Sequence, residues 1–368
     1  MAKKGIIIII VTGIISLSFI ISTIPIVFIS DKLSTYDKIN EELNFPYSPS
    51  LSSSIEKLYL NIDVGQVEIS YVSPPVDYHV KIGVNIEMSG QNIPGKSYLD
   101  YFKYPDCQII DSVAYFTFEL TSDDWFDPSI CTKNVIIVVS IRKDIDLDIL
   151  AKVNNGNVKL TAPYKVSTNN LLINVTNGNI FYNFNYCRLE GNTTGIVSNG
   201  NIFYNVNHST VNGIINGFVQ TGNMEVWIYN AKYSQNNSWD FTVDSGNFDI
   251  YINQYEDLGA IITGLAKIND GEAFVFYDDN GANIGANFEI PYGNHLLSLI
   301  DLPSCLMDTV YDLPCSSVNG FYYIQHTSSE GIAKLTSYDL WENRVKNYYN
   351  ITFEIIQGSF NMDLFSIN

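Results

Sequence analysis

A chain of 368 residues that is 46% hydrophobic and 13% aromatic has ample material for a packed core, which excludes a disordered protein. Its 39 acidic against 20 basic residues give a formal charge of −19, which repels phosphate backbones with no basic stripe to offset it, so nucleic acid is not an expected partner. Charged residues are only 16%, so the polar surface must come from Asn, Ser, Thr and Tyr, the residues of short strands and tight turns.

Residues 1–30 read as a cytoplasmic tip and a transmembrane anchor. Lys3 and Lys4 precede an uncharged run over residues 5–29, about the length that crosses a ~30 Å hydrocarbon core as a helix. Basic residues on the short N-terminal side keep that end cytoplasmic, so the expectation is a single-pass protein of the cell membrane with its bulk extracytoplasmic. The run is too long for a typical signal-peptide core, and no small-x-small cleavage site follows it. Lys3, Lys4 and Gly5 also resemble the processing site of archaeal pilin-like precursors, without the early acidic residue of such helices. Residues 31–54, with Pro46, Pro49 and the serines Ser52 to Ser54, read as a stalk.

Two features agree with an outside location. Asn174, Asn192, Asn207, Asn236 and Asn350 open Asn-x-Ser/Thr sequons and are glycosylation candidates. Of five cysteines, Cys107 with Cys131 and Cys305 with Cys315 are disulfide candidates by proximity in sequence, leaving Cys187 unpaired; sequence alone leaves the connectivity open. No Cys-x-x-Cys pair or histidine cluster suggests a metal, and no cofactor is implied.

The strongest signal is a repeat of 22 residues. Asn155-Gly156-Asn157, Asn177-Gly178-Asn179, Asn199-Gly200-Asn201, Thr221-Gly222-Asn223 and Ser245-Gly246-Asn247 place glycines 22, 22, 22 and 24 residues apart. Gly271 extends the series, and Gly65 and Gly358 echo it near the two ends. Three residues before these glycines stand Ile62, Val153, Val175, Val197, Val219, Val243, Ile268 and Ile355, all β-branched and predicted to point inward. After them apolar residues alternate, as in Ile180, Tyr182 and Phe184, which is the pattern of a strand with one buried face. The predicted fold is therefore all-β, a β-solenoid with two strands per 22-residue rung and an amide ladder of Asn157, Asn179, Asn201, Asn223 and Asn247 at the glycine turns. Its regular rungs fall in residues 151–281, its entry and N-terminal cap in 55–150, and its C-terminal cap with a final rung in 282–368.

With these residues in view, the chain resembles the putative-adhesin β-solenoid family of bacterial and archaeal surface domains. That family repeats a strand, a Ser/Asn-Gly-Asp/Asn turn and a strand, and opens with a strand like residues 58–69 here. Residues 135–144 sit where its next element falls, with Arg142 in place of a proline. The resemblance covers roughly residues 55–290 and implies a surface-exposed, often membrane-tethered domain.

The candidate binding residues are aromatics on the outward face of the strand after each glycine: Phe181, Phe203 and Phe274 three residues on, and Trp227, Tyr251 and Phe276 five residues on. Exposed aromatic strips mark contacts with proteins or glycans, though a capping segment or a second copy could equally cover this one. Asp240, Asp244, Asp249 and Asp270 are the carboxylates to weigh for catalysis, but Arg188, Lys232 and Lys267 are scattered over different repeat positions. His79, His208, His295 and His326 are too dispersed for a Ser-His-Asp relay, and the acidic groups at 123–127 and 278–280 lack calcium-loop spacing. The expectation is a non-enzymatic surface adhesion or cell-envelope interaction protein. The alternatives are a carbohydrate-active β-helix enzyme or a subunit of an envelope lattice or pilus-like filament.

Overall fold

The computed structural model describes residues 37–47, 55–90, 93, 95–256 and 258–278, the strand segments 285–290, 297–300, 313–317, 320–327 and 332–337, and residues 348–365. The chain is all-β, and its described residues divide into two compact units. The apolar run of residues 5–29 lies outside them; among the described residues no helix is long and apolar enough to cross a membrane.

The larger unit holds the repeat. The first strands Asp148–Asn155, Leu171–Asn177, Thr193–Asn199, Ile215–Thr221 and Asn237–Ser245 pair in parallel, each residue beside its equivalent in the next repeat. The second strands Val158–Ala162, Ile180–Asn185, Ile202–Asn207, Met224–Tyr229 and Phe248–Asn253 do the same across the glycine turn. Strand Ile261–Asp278 runs through both columns without a break. The two strands per repeat expected from sequence are a correction: Ser167–Thr168, Arg188–Leu189, Thr210–Val211 and Lys232–Tyr233 form a third parallel column. Two-residue strands leave no alternation to read, which is why the sequence pattern missed them.

All eight glycines belong to one ladder. Val64 pairs with Asn155 and Val67 with Val158, so the Gly65 turn stacks directly on the Gly156 turn although about ninety residues separate them. Gly271 likewise pairs with Gly358. The first repeat therefore lies inside the segment expected to be an entry cap, and the residues inserted after it return to its free side: Val113–Phe118 pairs with Lys57–Val64, and Ile136 to Arg142 pair with Gln66 to Val72. Residues 37–47, expected in the stalk, form a strand whose buried Tyr47 donates its hydroxyl to the Tyr115 carbonyl at 2.8 Å.

The core follows from this register. Ile62, Val153, Val175, Val197, Val219, Val243, Ile268 and Ile355 are at most 2% exposed, and burying each such side chain stabilises the stack by about 2 kcal/mol. Tyr182 and Tyr204 stack inside at 4.9 Å, where a phenol is tolerated because its O–H finds a partner: Tyr182 donates to the Thr194 carbonyl at 2.7 Å and Tyr204 to that of Asn216. The rings fit because Gly195 stands across from them; a Cβ there would meet the Tyr204 hydroxyl at 2.8 Å.

At the turns the expected ladder forms. Asn157 Oδ1 accepts from the backbone N–H and the side-chain amide of Asn179, both at 2.9 Å, and Asn179 does the same for Asn201. Asn201 and Asn223 continue it by accepting the N–H of Asn223 and Asn247. Asn155, Asn177 and Asn199 build a second ladder at 3.0 Å. In the first ladder each accepting amide oxygen thereby satisfies a backbone donor that the turn would otherwise strand, whereas the second ladder joins side chains alone.

The expected bridge between Cys107 and Cys131 is a correction, since both thiols are free. Cys107 engages the Tyr47 hydroxyl, and burial pushes its thiol up to about 11, while the exposed Cys131 faces the Ser129 carbonyl at 3.8 Å. Cys187, expected to be unpaired, is free and buried against Ser209. Cys305 lies outside the described residues, and of Cys315 only the backbone is described.

The smaller unit comprises, among its described residues, parts of 37–42, 85–103 and 120–135. Phe102 and Trp125 pack edge to face at 5.0 Å in its core, and the Ser97 hydroxyl and Asp100 carboxylate form a capping box on the short 3-10 turn between them.

Candidate binding surface

Parallel register decides what the outward residues can do, because it repeats each position about 4.8 Å further along the sheet. Three residues after the glycines the row reads Lys159, Phe181, Phe203, Glu225, Asp249 and Phe274; five residues after, Thr161, Asn183, Asn205, Trp227, Tyr251 and Phe276. The six aromatics singled out in the sequence thus fall into two groups. Phe181 and Phe203 stack at 4.9 Å with their planes 2° apart. Trp227 and Tyr251 stack at 4.1 Å and 13°, with Phe274 and Phe276 at 5.6 and 6.3 Å from Tyr251. Trp227 is 46% and Phe181 36% exposed; Phe203, Tyr251, Phe274 and Phe276 are half-buried.

Between the two groups stands Glu225, whose carboxylate accepts the Trp227 indole N–H. Its register neighbour Asp249 is pushed up to about 6 by burial first, and then by the like charges of Glu225 and Glu272. The face is therefore aromatic at both ends and acidic in the middle. Stacked rings spend their faces on one another and turn edges outward, which suits contact with a flat apolar surface better than the stacking of a sugar on a ring.

No family model matches the chain, and no curated protein does. Solved structures do show a likeness. One is a "putative cell adhesion protein" from Clostridium sporogenes ATCC 15579, at 11% identity over 89% of this chain and 100% of that one, TM-score 0.22. Another is a "putative adhesin" from Bacteroides fragilis NCTC 9343, at 10% identity over 88% and 97%, TM-score 0.38. A third is a "putative lipid binding protein" from Parabacteroides distasonis ATCC 8503, at 12% identity over 88% and 96%, TM-score 0.30.

The carboxylates weighed for catalysis do not share one strand. Asp240 and Asp244 precede the Gly246 turn, Asp249 follows it, and Asp244 is engaged by the Asn269 amide at 2.8 Å. Among the described residues no three His, Cys, Asp or Glu side chains gather as a metal site. Of the sequon asparagines, Asn192 and Asn236 are exposed, and Asn174 and Asn350 are half-buried within strands. Asn207 donates its side-chain nitrogen, the atom a glycan would take, to Asn185 at 3.0 Å.

One set of side chains escaped the sequence reading. Tyr164, Tyr186 and His208 stand eight residues after Gly156, Gly178 and Gly200, at the corner that ends the second strand. The repeat signal was there, but the alternation of the strand stops before it.

Proposed function

We propose that the stacked repeats constitute a β-solenoid held outside the cytoplasm by an N-terminal membrane anchor, and that the protein is a non-enzymatic surface adhesion or cell-envelope interaction protein. The in-register pairing of equivalent residues supports the solenoid, and the uncharged run after Lys3 and Lys4 supports the anchor. The observation that carries the reading is Trp227, 46% exposed and locked against Tyr251 on an outward strand face. A rigid, preorganised aromatic pair is the kind of anchor that protein interfaces concentrate their energy on. The acidic residues Glu225, Asp249 and Glu272 beside it favour a partner surface with a basic rim.

The Trp227→Ser, Tyr251→Ser double variant is expected to lose about tenfold or more in binding to the cell-envelope fraction, with an unchanged thermal melt, because both side chains lie outside the core. Undiminished binding by the folded variant rejects the assignment. The enzyme alternative draws on one observation, a carboxyl that titrates near 6 beside a second carboxylate, as in an acid/base pair. Polysaccharide cleavage by the wild type that Asp249→Asn abolishes would establish it in place of the adhesion reading.

A further inference from the structure

The corner after the second strands carries an aromatic group of its own. Tyr164, Tyr186, His208, Tyr229 and Tyr255 form a chain of ring contacts: Tyr164 to Tyr186 at 6.4 Å, Tyr186 to His208 at 4.6 Å, and His208 to Tyr229 and Tyr255 at 5.0 and 5.9 Å. Tyr164, Tyr186 and Tyr229 are 61, 48 and 41% exposed. Unlike the strand face, this group is stacked only in part: Tyr186 lies 14° from His208 and gives it one ring face, but Tyr164 is turned 75° from Tyr186, and Tyr255 71° from Tyr229. The Lys165 ammonium lies 5.0 Å over the Tyr164 ring, a position that an open ring face allows.

Polar groups fix these rings. His208 Nδ1 stands 2.6 Å from Asn207 Oδ1 and Nε2 2.5 Å from the Tyr255 hydroxyl. In the neutral ring the Nδ1–H donates to the amide oxygen, and Nε2 accepts the phenol proton. The backbone adds a second, independent sign. Tyr186 and His208 hold φ of 53° and 48°, the left-handed region that Asn230 adopts at the equivalent position with φ 49°. Asn is at ease there, and its Oδ1 accepts the Glu256 N–H; a tyrosine is strained. Folding alone would favour Asn at all three of these positions, so strain retained at Tyr186 points to a use for its ring.

Charge narrows the ligand. Arg188 pairs with Glu190 and Lys232 with Glu256, each at 2.6 Å, so two of the three cations named at this corner are neutralised and Lys165, over the Tyr164 ring, is not, within a chain of net charge −19. We propose that this corner binds a neutral oligosaccharide, its C–H faces against the Tyr164 and Tyr186 rings and its hydroxyls donating to the phenol oxygens of Tyr229 and Tyr255, whose own protons are held by Tyr255 and His208. The residues are distinct from Trp227 and Tyr251, so this site and the strand-face assignment can fail separately.

Calorimetric titration of the full-length chain with cellohexaose, mannohexaose and chitohexaose, and with an alginate hexasaccharide as the anionic counterpart, tests it. At least one neutral sugar is expected to bind. Tyr164→Ala and Tyr186→Asn should each weaken it about tenfold, and Trp227→Ser, Tyr251→Ser should leave it unchanged. Tyr186→Asn separates binding from structure, because the melting temperature should stay or rise as affinity falls. Absence of neutral-sugar binding, binding of the anionic sugar alone, undiminished affinity in Tyr186→Asn, or a lowered melting temperature in that variant overturns the proposal.

Discussion

The second strands Ile180–Asn185, Ile202–Asn207 and Met224–Tyr229 are flanked at both ends by positive φ, and with different residues at the two ends. At the first corner the ladder from Gly65 to Gly271 holds φ between 133° and 153°, and a Cβ on Gly200 would stand 1.8 Å from the Gly178 carbonyl oxygen. At the second, Tyr186, His208 and Asn230 hold φ near 50°, a region where a Cβ is strained but accommodated. Where both the torsion and the space are fixed, only glycine fits, and the position says nothing about function. Where the torsion alone is fixed, successive repeats are free to differ, and here they differ by acquiring exposed rings.

The sharpest way to break this contrast is Gly200→Ala. With backbone atoms of the adjacent repeat in the way and no permitted φ, it should destabilise by about 4 kcal/mol or more in urea unfolding. A loss under about 1 kcal/mol would mean that the corner relaxes and that the distinction is false. Asn201→Ala should follow at about 2 kcal/mol, since it removes the acceptor of the Asn223 N–H and the side-chain bond to Asn179. An equal loss on replacing Asn205, which bonds Asn183 at 3.2 Å on the exposed face, would show that the turn has no special need of its amides.

On the strand face between the corners, Asp249→Asn should stabilise the protein. The folded carboxyl sits near 6 against 3.8 unfolded, so the fold binds the extra proton, and the wild type loses stability as pH rises from about 4 through about 6. The variant's gain is therefore full above that window and absent below 3.8; screened by solvent at this half-buried site, it amounts to about 1 kcal/mol. Equal gains at both ends of a pH series of thermal melts would remove the electrostatic explanation. The smallest effect is at the second corner, where Tyr186→Asn should raise stability by less than about 1 kcal/mol, and any clear loss would show that the ring there is structural.

The glycine period, the inward β-branched residues and the Asn ladder were all legible in the sequence, because each is set by local geometry repeated at a fixed interval. The third column was not, since Arg188–Leu189 and its fellows are too short to show alternation. The grouping of the aromatics was half legible. The outward positions of Phe181 and Trp227 follow from the two-residue period, but the interruption at Glu225 and the mutual stacking that hides the ring faces depend on which repeat lies beside which.

Sequence by itself determined that this chain repeats, which residues turn it and which face inward, because torsion and hydrophobic periodicity are properties of neighbours along the chain. Tertiary structure alone decided that Gly65 and Gly358 join the ladder across long insertions, that Cys107 and Cys131 are free thiols, and that Tyr186, His208 and Tyr255 meet at one corner. Those outcomes rest on contacts between residues distant in sequence, and parallel stacking makes such contacts by laying equivalent positions of successive repeats side by side.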